Sequence, residues 1–321
     1  MTVPSPLCRD PLLDGAADPT VIWNRVRREW WMFYTNRRAW SPPIGGFGWV
    51  HGTDIGIATS VDGGVTWLHR GIAEGLCTEP GRHTFWAPEV VDDGDLFHMF
   101  VTVIDGVPTA WSDKPRAIRH YTSADLHTRS FRSTLCLSSD RVIDAGIIRA
   151  EDGRYLMWYK DEADGSHTYR ASSDDLRTWA VDGPTIETCP HEGPNVFRLG
   201  GYYWMLTDEW RGLRVFRSTD LVTWAQHDRI LDEPGARTDD GGVGYHADVV
   251  VDGQSGYVFY FTHPGREPGM PVDDRLYEHR RSSIQVARLR VEEGRLTCDR
   301  DELIAGPFLT APDQLGRLGD E

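Results

Sequence analysis

"IDAGIIRAEDGRYLMWYKDE", residues 143–162, sets an acidic residue ahead of a short apolar run, a charged turn and a strand crowded with aromatic side chains. Alone it reads as one β-hairpin with Asp144 at its rim. The pattern recurs along the chain. Aromatic strands begin at Trp30 (WWMFYT), Leu96 (LFHMFVTV), Tyr155 (YLMWYKDE), Tyr202 (YYWMLTDEW) and Tyr257 (YVFYFTHP). Each follows a turn and a shorter apolar run: TVIW, EVV, GIIRA, NVFRL and DVVV. Four hairpins lead into a second signature, SVDGGVTW (60–67), SADLHTRSF (123–131), SDDLRTW (173–179) and STDLVTW (218–224), in which Ser, Asp and a closing aromatic recur in that order. The fifth unit continues as IQVARLRVEEGRL without that turn. Repeated antiparallel units with almost no helical periodicity predict an all-β, five-bladed β-propeller. The blades are expected near 10–80, 81–138, 139–187, 188–236 and 237–304, in a single catalytic domain over 1–321 that ends in a short polar tail.

In a propeller the first strand of each blade lines the central channel, so residues at its start converge on one mouth. Counting back ten to twelve residues from each aromatic strand gives Asp18, Trp86, Asp144, Glu192 and His246. The count favours Asp18 over Asp10. Three carboxyls facing one pocket resist simultaneous ionisation, because burial and like charge both favour the neutral form. One acid held neutral beside one ionised base is what glycosidic hydrolysis requires. Trp86 at the same rim suits stacking against a sugar ring.

Composition narrows the partners. With 321 residues and a net charge of −15, the chain is expected to bind neither nucleic acid nor an anionic membrane. The N-terminus MTVPSPLCRDPLLDG lacks a basic stretch followed by an apolar core. Cys8, Cys77, Cys136, Cys189 and Cys298 are scattered and read as reduced thiols. Both features lead us to expect a cytoplasmic protein.

Taken in order, "ADPTVIW", "FWAPEVV", "VIDAGII" and "HEGPNVF", each with an aromatic strand behind it, resemble the family 43 glycoside hydrolases and their relatives. The resemblance spans residues 10 to 300. It implies an inverting exo-glycosidase of furanosidase or xylosidase/arabinosidase type, with an oligosaccharide or glycoside as substrate and no required cofactor. By position it makes Asp18 the general base, Glu192 the general acid and Asp144 the residue that tunes and orients that acid. His246 matches a blade-five histidine near a central cation or water, which makes it a candidate ligand for a structural Ca²⁺ or another channel cation. Ala145 stands where the family has proline. The Gly-rich stretch carrying His51 and Asp54, and Asp248 beyond His246, look more like the family 117 propellers. Those imply a galactosidase acting on anhydrogalactose or galactofuranose units, in which a histidine can take part in acid catalysis. A sugar-binding propeller without turnover is the remaining alternative. His51, His191 and His246 are therefore candidate substrate contacts, although strand alternation sets His191 and Glu192 on opposite faces. Trp40, Trp49, Arg82, His83, Trp111, Trp210 and Arg211 fall in connections where substrate loops belong.

Overall fold

The structure is a computed structural model that describes residues 1–42, 48–109, 111, 114–267 and 271–312. It contains five four-stranded antiparallel sheets, each built from one contiguous stretch of chain. Blade 1 is β1 (Ala16–Asn24), β2 (Glu29–Asn36), β3 (Asp54–Ser60) and β4 (Leu68–Ile72). Blade 2 is β5 (Thr84–Asp92), β6 (Phe97–Ile104), β7 (Ala117–Ser123) and β8 (Ser130–Thr134). Blade 3 is β9 (Val142–Arg149), β10 (Tyr155–Asp161), β11 (His167–Ser173) and β12 (Ala180–Ile186). Blade 4 is β13 (Glu192–Leu199), β14 (Tyr202–Asp208), β15 (Leu213–Ser218) and β16 (Ala225–Ile230). Blade 5 is β17 (Tyr245–Asp252), β18 (Ser255–Thr262), β19 (Ser283–Glu292) and β20 (Arg295–Asp299). The first strand of each blade packs against the first strands of its two neighbours, closing the ring of a five-bladed propeller.

Burial explains the sequence pattern. Each second strand is covered on both faces by neighbouring blades, so β6 and β10 are buried along their whole length and read as mostly apolar, aromatic-rich runs. The outermost strands meet solvent, and β4 alternates between exposed and half-buried positions. The Ser/Asp signature is one hydrogen-bond network used four times. In blade 4, Ser218 Oγ donates to Asp220 Oδ1 at 3.0 Å, and that oxygen also accepts the backbone N–H groups of Val222 and Thr223 at 2.8 Å each. The same Asp side chain closes the turns at Asp62, Asp125 and Asp175.

Ring closure uses the chain ends as threads rather than as a shared blade. Thr2 bridges Ala305, Cys8 bridges Ile284 and Gly15 bridges Ser282. Phe308 and Leu309 donate their N–H groups to the Gly63 carbonyl at 3.0 Å each, binding residues past the last strand to blade 1. Residues 308–309, past the last strand, thus belong to the folded body, and residues 313–321 lie outside the described residues. Leu7, Tyr34, Tyr257, Phe259 and Phe308 pack together at this seam between blades 1 and 5. All five cysteines are free.

Inner strands present an unpaired edge to the channel, and its N–H groups need acceptors. Two buried carboxyls supply them. Glu89 accepts from Ile147 N at 2.9 Å, and Asp248 accepts from Val21 N at 2.7 Å and Asn195 Nδ2 at 2.9 Å. Gly146 lets blades 3 and 4 meet at this depth, since a Cβ there would stand 2.1 Å from the Pro194 carbonyl oxygen. Gly146→Ala is expected to cost about 1–3 kcal/mol by overpacking, read as a lower denaturation midpoint at unchanged m-value.

Candidate active site

Each inner strand carries a β-bulge near its start, at Ala17/Thr20, Trp86/Glu89, Ile143/Gly146, Glu192/Asn195 and Tyr245/Ala247. Four blades place a left-handed residue there: Asp18 (φ 47°), Ala87 (φ 42°), Asp144 (φ 61°) and Gly193 (φ 59°). Non-glycine residues held in this region cost about 1–3 kcal/mol each and cluster where function requires them. At Gly193 no side chain fits, because a Cβ would lie 2.6 Å from the His246 ring.

The bulges correct the sequence register. Asp18, Asp144 and His246 share one level with Ala87 and Gly193, whereas Trp86 and Glu192 sit one residue earlier, level with Ala17, Ile143 and Tyr245. Counting back from the aromatic strands misses this because hairpin turns differ in length, from 200–201 in blade 4 to 150–154 in blade 3.

At three joints a side chain on the second strand of one blade holds the bulge of the next. Thr35 Oγ1 accepts from Ala87 N at 2.8 Å, Thr102 Oγ1 from Asp144 N at 3.0 Å, and Asp208 Oδ2 from His246 N at 2.9 Å. Thr35, Thr102 and Asp208 each pair across the sheet with the residue before their own blade's bulge, and in blade 3 that position is Lys160. An ammonium has no lone pair to offer an N–H. Gly193 N turns instead to Asp144 Oδ2 at 3.2 Å, and the Lys160 side chain is left to reach the pocket.

That pocket is a cavity of about 310 Å³ at the channel mouth, and Asp18, Asp144, Glu192, Trp86 and His246 all line it. Arg37 Nη2 lies 3.0 and 3.2 Å from the two oxygens of Asp18. His246 Nδ1 stands 3.8 Å from Asp18 and 4.0 Å from Asp144. Lys160 Nζ donates to Glu192 Oε2 at 3.1 Å, and the Trp210 indole N–H donates to Glu192 Oε1 at 2.9 Å. Glu192 is the most open carboxyl, its side chain 20% exposed against 7% for Asp18 and 6% for Asp144.

The electrostatics separate two of the acids. Burial, reinforced by the charge of Glu192, pushes Asp144 well above the usual carboxylate range, with Lys160 opposing. Burial would raise Glu192 as well, but Lys160, His246 and the Trp210 N–H outweigh it and hold Glu192 below its ordinary value. Glu192 is thus the charged member of the pair and Asp144 the neutral one. Asp208, beside them, is pushed up to about 7 by burial and by Glu192.

Several expectations change on contact with this geometry. His51 does not line the pocket: it is fully buried against Trp86, ring centroids 5.4 Å apart, and burial followed by Arg116 and Arg38 lowers it to about 4. His191 is buried too, with its ring bonded to Thr168 Oγ1 and the Cys189 carbonyl at 2.6 Å each, on the opposite side of the strand from Glu192. Trp86 lines the cavity but is only 7% exposed, and Trp111 lies parallel to it with centroids 5.6 Å apart. Trp111, 51% exposed, carries the open aromatic surface. Asp10 belongs to the scaffold, bound to Tyr34 and Asn36, and Asp54 pairs with Arg82. The candidate cation ligand His246 faces two carboxylates, and no three His, Cys, Asp or Glu side chains among the described residues converge as a resident cation would need.

Sequence reasoning left out Arg37, Lys160, Asp208, Tyr245, His263 and Arg266, all but Asp208 in the pocket wall. Lys160 had a readable signal, as a donor standing in a series of acceptors at the ends of the second strands.

Comparison with known proteins places the fold. No protein-family model matches the chain, and no curated protein matches it. Solved structures do. A thermostable family-43 glycoside hydrolase superposes with a TM-score of 0.69 at 19% identity, covering 92% of this chain and 97% of that one. A family-43 β-xylosidase/α-arabinofuranosidase from a compost microbial metagenome, in complex with xylotriose in a calcium-free form, gives 0.66 at 14% identity over 97% and 100%. A family-43 β-1,3-galactosidase with galactodeoxynojirimycin gives 0.65 at 14% identity over 88% and 93%. At these identities the shared property is the five-bladed propeller fold.

Proposed function

We propose that the chain is an inverting exo-glycosidase that hydrolyses a short oligosaccharide, of furanosidase or xylosidase/arabinosidase type. The observation that carries this reading is the convergence of Asp18, Asp144 and Glu192 on one small cavity. Its volume lies at the low end of ligand pockets, roughly 300–1,000 Å³, which suits a terminal sugar rather than the middle of a chain. In the proposed single displacement Asp18 removes a proton from water as the water attacks the anomeric carbon. Glu192 protonates the departing glycosidic oxygen, and Asp144 exchanges a proton with Glu192. Arg37 orients Asp18. Glu192, as the most open carboxyl, faces the side from which a leaving group departs.

The test is a panel of aryl glycosides of arabinofuranose, galactofuranose, xylose and galactose in both anomers, with the first-formed product followed by NMR. The expected result is hydrolysis of one sugar with inversion. A retained anomer would remove the single displacement, and binding without turnover would favour a sugar-binding propeller. Trp111→Ala is expected to raise KM by a few-fold to tenfold, matching about 0.5–1.5 kcal/mol for lost ring stacking, with kcat little changed.

A further inference from the structure

The two oxygens of Glu192 are occupied by Lys160 and Trp210, whose ammonium and indole N–H only donate. Protonating Glu192 weakens both contacts, since it removes the charge that draws the ammonium and takes up one of the accepting lone pairs. The two donors therefore suit the charged form, whereas a general acid must arrive at the leaving group carrying a proton. Both donors are held less firmly once the proton arrives. Lys160 has somewhere to go: its Nζ is 3.1 Å from Glu192 Oε2 and 3.5 Å from Glu162 Oε1. Trp210 stands at the rim, 45% exposed, with Lys160 Nζ 5.2 Å from its ring centroid.

Resting on Glu192 as the acid, we infer that Lys160 is a positioning residue with two seats. It sits on Glu192 before substrate binds, keeping that carboxylate charged, and on Glu162 when substrate displaces the Trp210 N–H, which frees Glu192 to accept the proton held by Asp144. The step conserves charge and protons. One proton leaves an Asp144 oxygen and joins a Glu192 oxygen, Asp144 becomes the carboxylate, and Lys160 stays an ammonium throughout. The proton then passes to the glycosidic oxygen as its bond to the anomeric carbon breaks. Around Glu192 stand Lys160 from β10, Asp144 from β9, Asp208 from β14 and His246 from β17. Behind Lys160 stands Glu162, with Arg116 Nε 3.0 Å from its other oxygen.

The experiment is the pH profile of kcat/KM on a substrate with a poor leaving group, for wild type, Lys160→Met, Trp210→Phe and Glu162→Gln. The basic limb reports loss of the proton shared by Asp144 and Glu192. A cation beside the pair lowers that limb, so its removal raises it. Lys160→Met should move it up by about 1–3 pH units, Trp210→Phe should move it up by less, and Glu162→Gln should move it down by confining Lys160 to Glu192. A basic limb that stays put in Lys160→Met, or that fails to fall in Glu162→Gln, overturns the inference. If Lys160→Met does not fold by circular dichroism, the opposite shifts of Trp210→Phe and Glu162→Gln decide. Full activity of Glu192→Gln on the same substrate would instead overturn the assignment of the acid, a different outcome from an unmoved limb.

Discussion

Asp18→Asn is expected to lower kcat by about 10²–10⁴-fold, the usual contribution of a positioned general base, while KM for the glycoside stays within a few-fold. Asparagine matches aspartate in shape and its side-chain oxygen can still accept from Arg37, which lies 3.0 Å from Asp18 Oδ1. What it loses is the capacity to take a proton from water. The split between kcat and KM separates catalysis from binding, because a sugar-binding propeller has no turnover to lose. Steady-state kinetics on the sugar identified in the panel checks it. Turnover unchanged by the substitution would remove Asp18 from the mechanism.

Glu192→Gln is the second large effect, and it depends on the leaving group. With an alkyl or sugar leaving group, whose departing oxygen needs a proton, kcat/KM should fall by about 10²–10⁴-fold. With a dinitrophenolate leaving group, which departs unaided, the fall should be less than about tenfold, because the protonation that general acid catalysis supplies is no longer required. The measurement is the slope of log kcat/KM against leaving-group pKa, expected to be steeper in the variant. Equal losses on both substrate types would mean that Glu192 binds or shapes the pocket without giving a proton.

The fold was legible because its two signals repeat. The aromatic second strands are buried on both faces in every blade, and the Ser/Asp turn closes the same hydrogen-bond network four times. Asp18, Asp144 and Glu192 were legible as a group because all three lie at the start of an inner strand. Their levels were not, since the hairpin turns behind them differ in length, from 200–201 in blade 4 to 150–154 in blade 3. His51 was misplaced because a Gly-rich stretch gives no information on which way a side chain points, and here it points under Trp86. Lys160 and Asp208 went unnoticed because their effect comes from pairing across a sheet and contact with the next blade.

The closure of the ring by threads divides the site in a way that bears on thermal inactivation. Asp18 and Arg37 belong to blade 1 and its following loop, while His246 and Phe261, over which the Arg37 guanidinium lies at 4.7 Å, belong to blade 5. Asp18, the proposed base, and Arg37 thus straddle the seam held by the chain ends, and Asp144, Lys160 and Glu192 straddle the joint between blades 3 and 4, where the backbone runs on without a break. The two halves of the site have different mechanical foundations. Warming that loosens the seam ahead of the other joints would silence the enzyme before it melts, and tying residues 1–9 more firmly to blade 5 would extend its working range without touching a residue in the pocket.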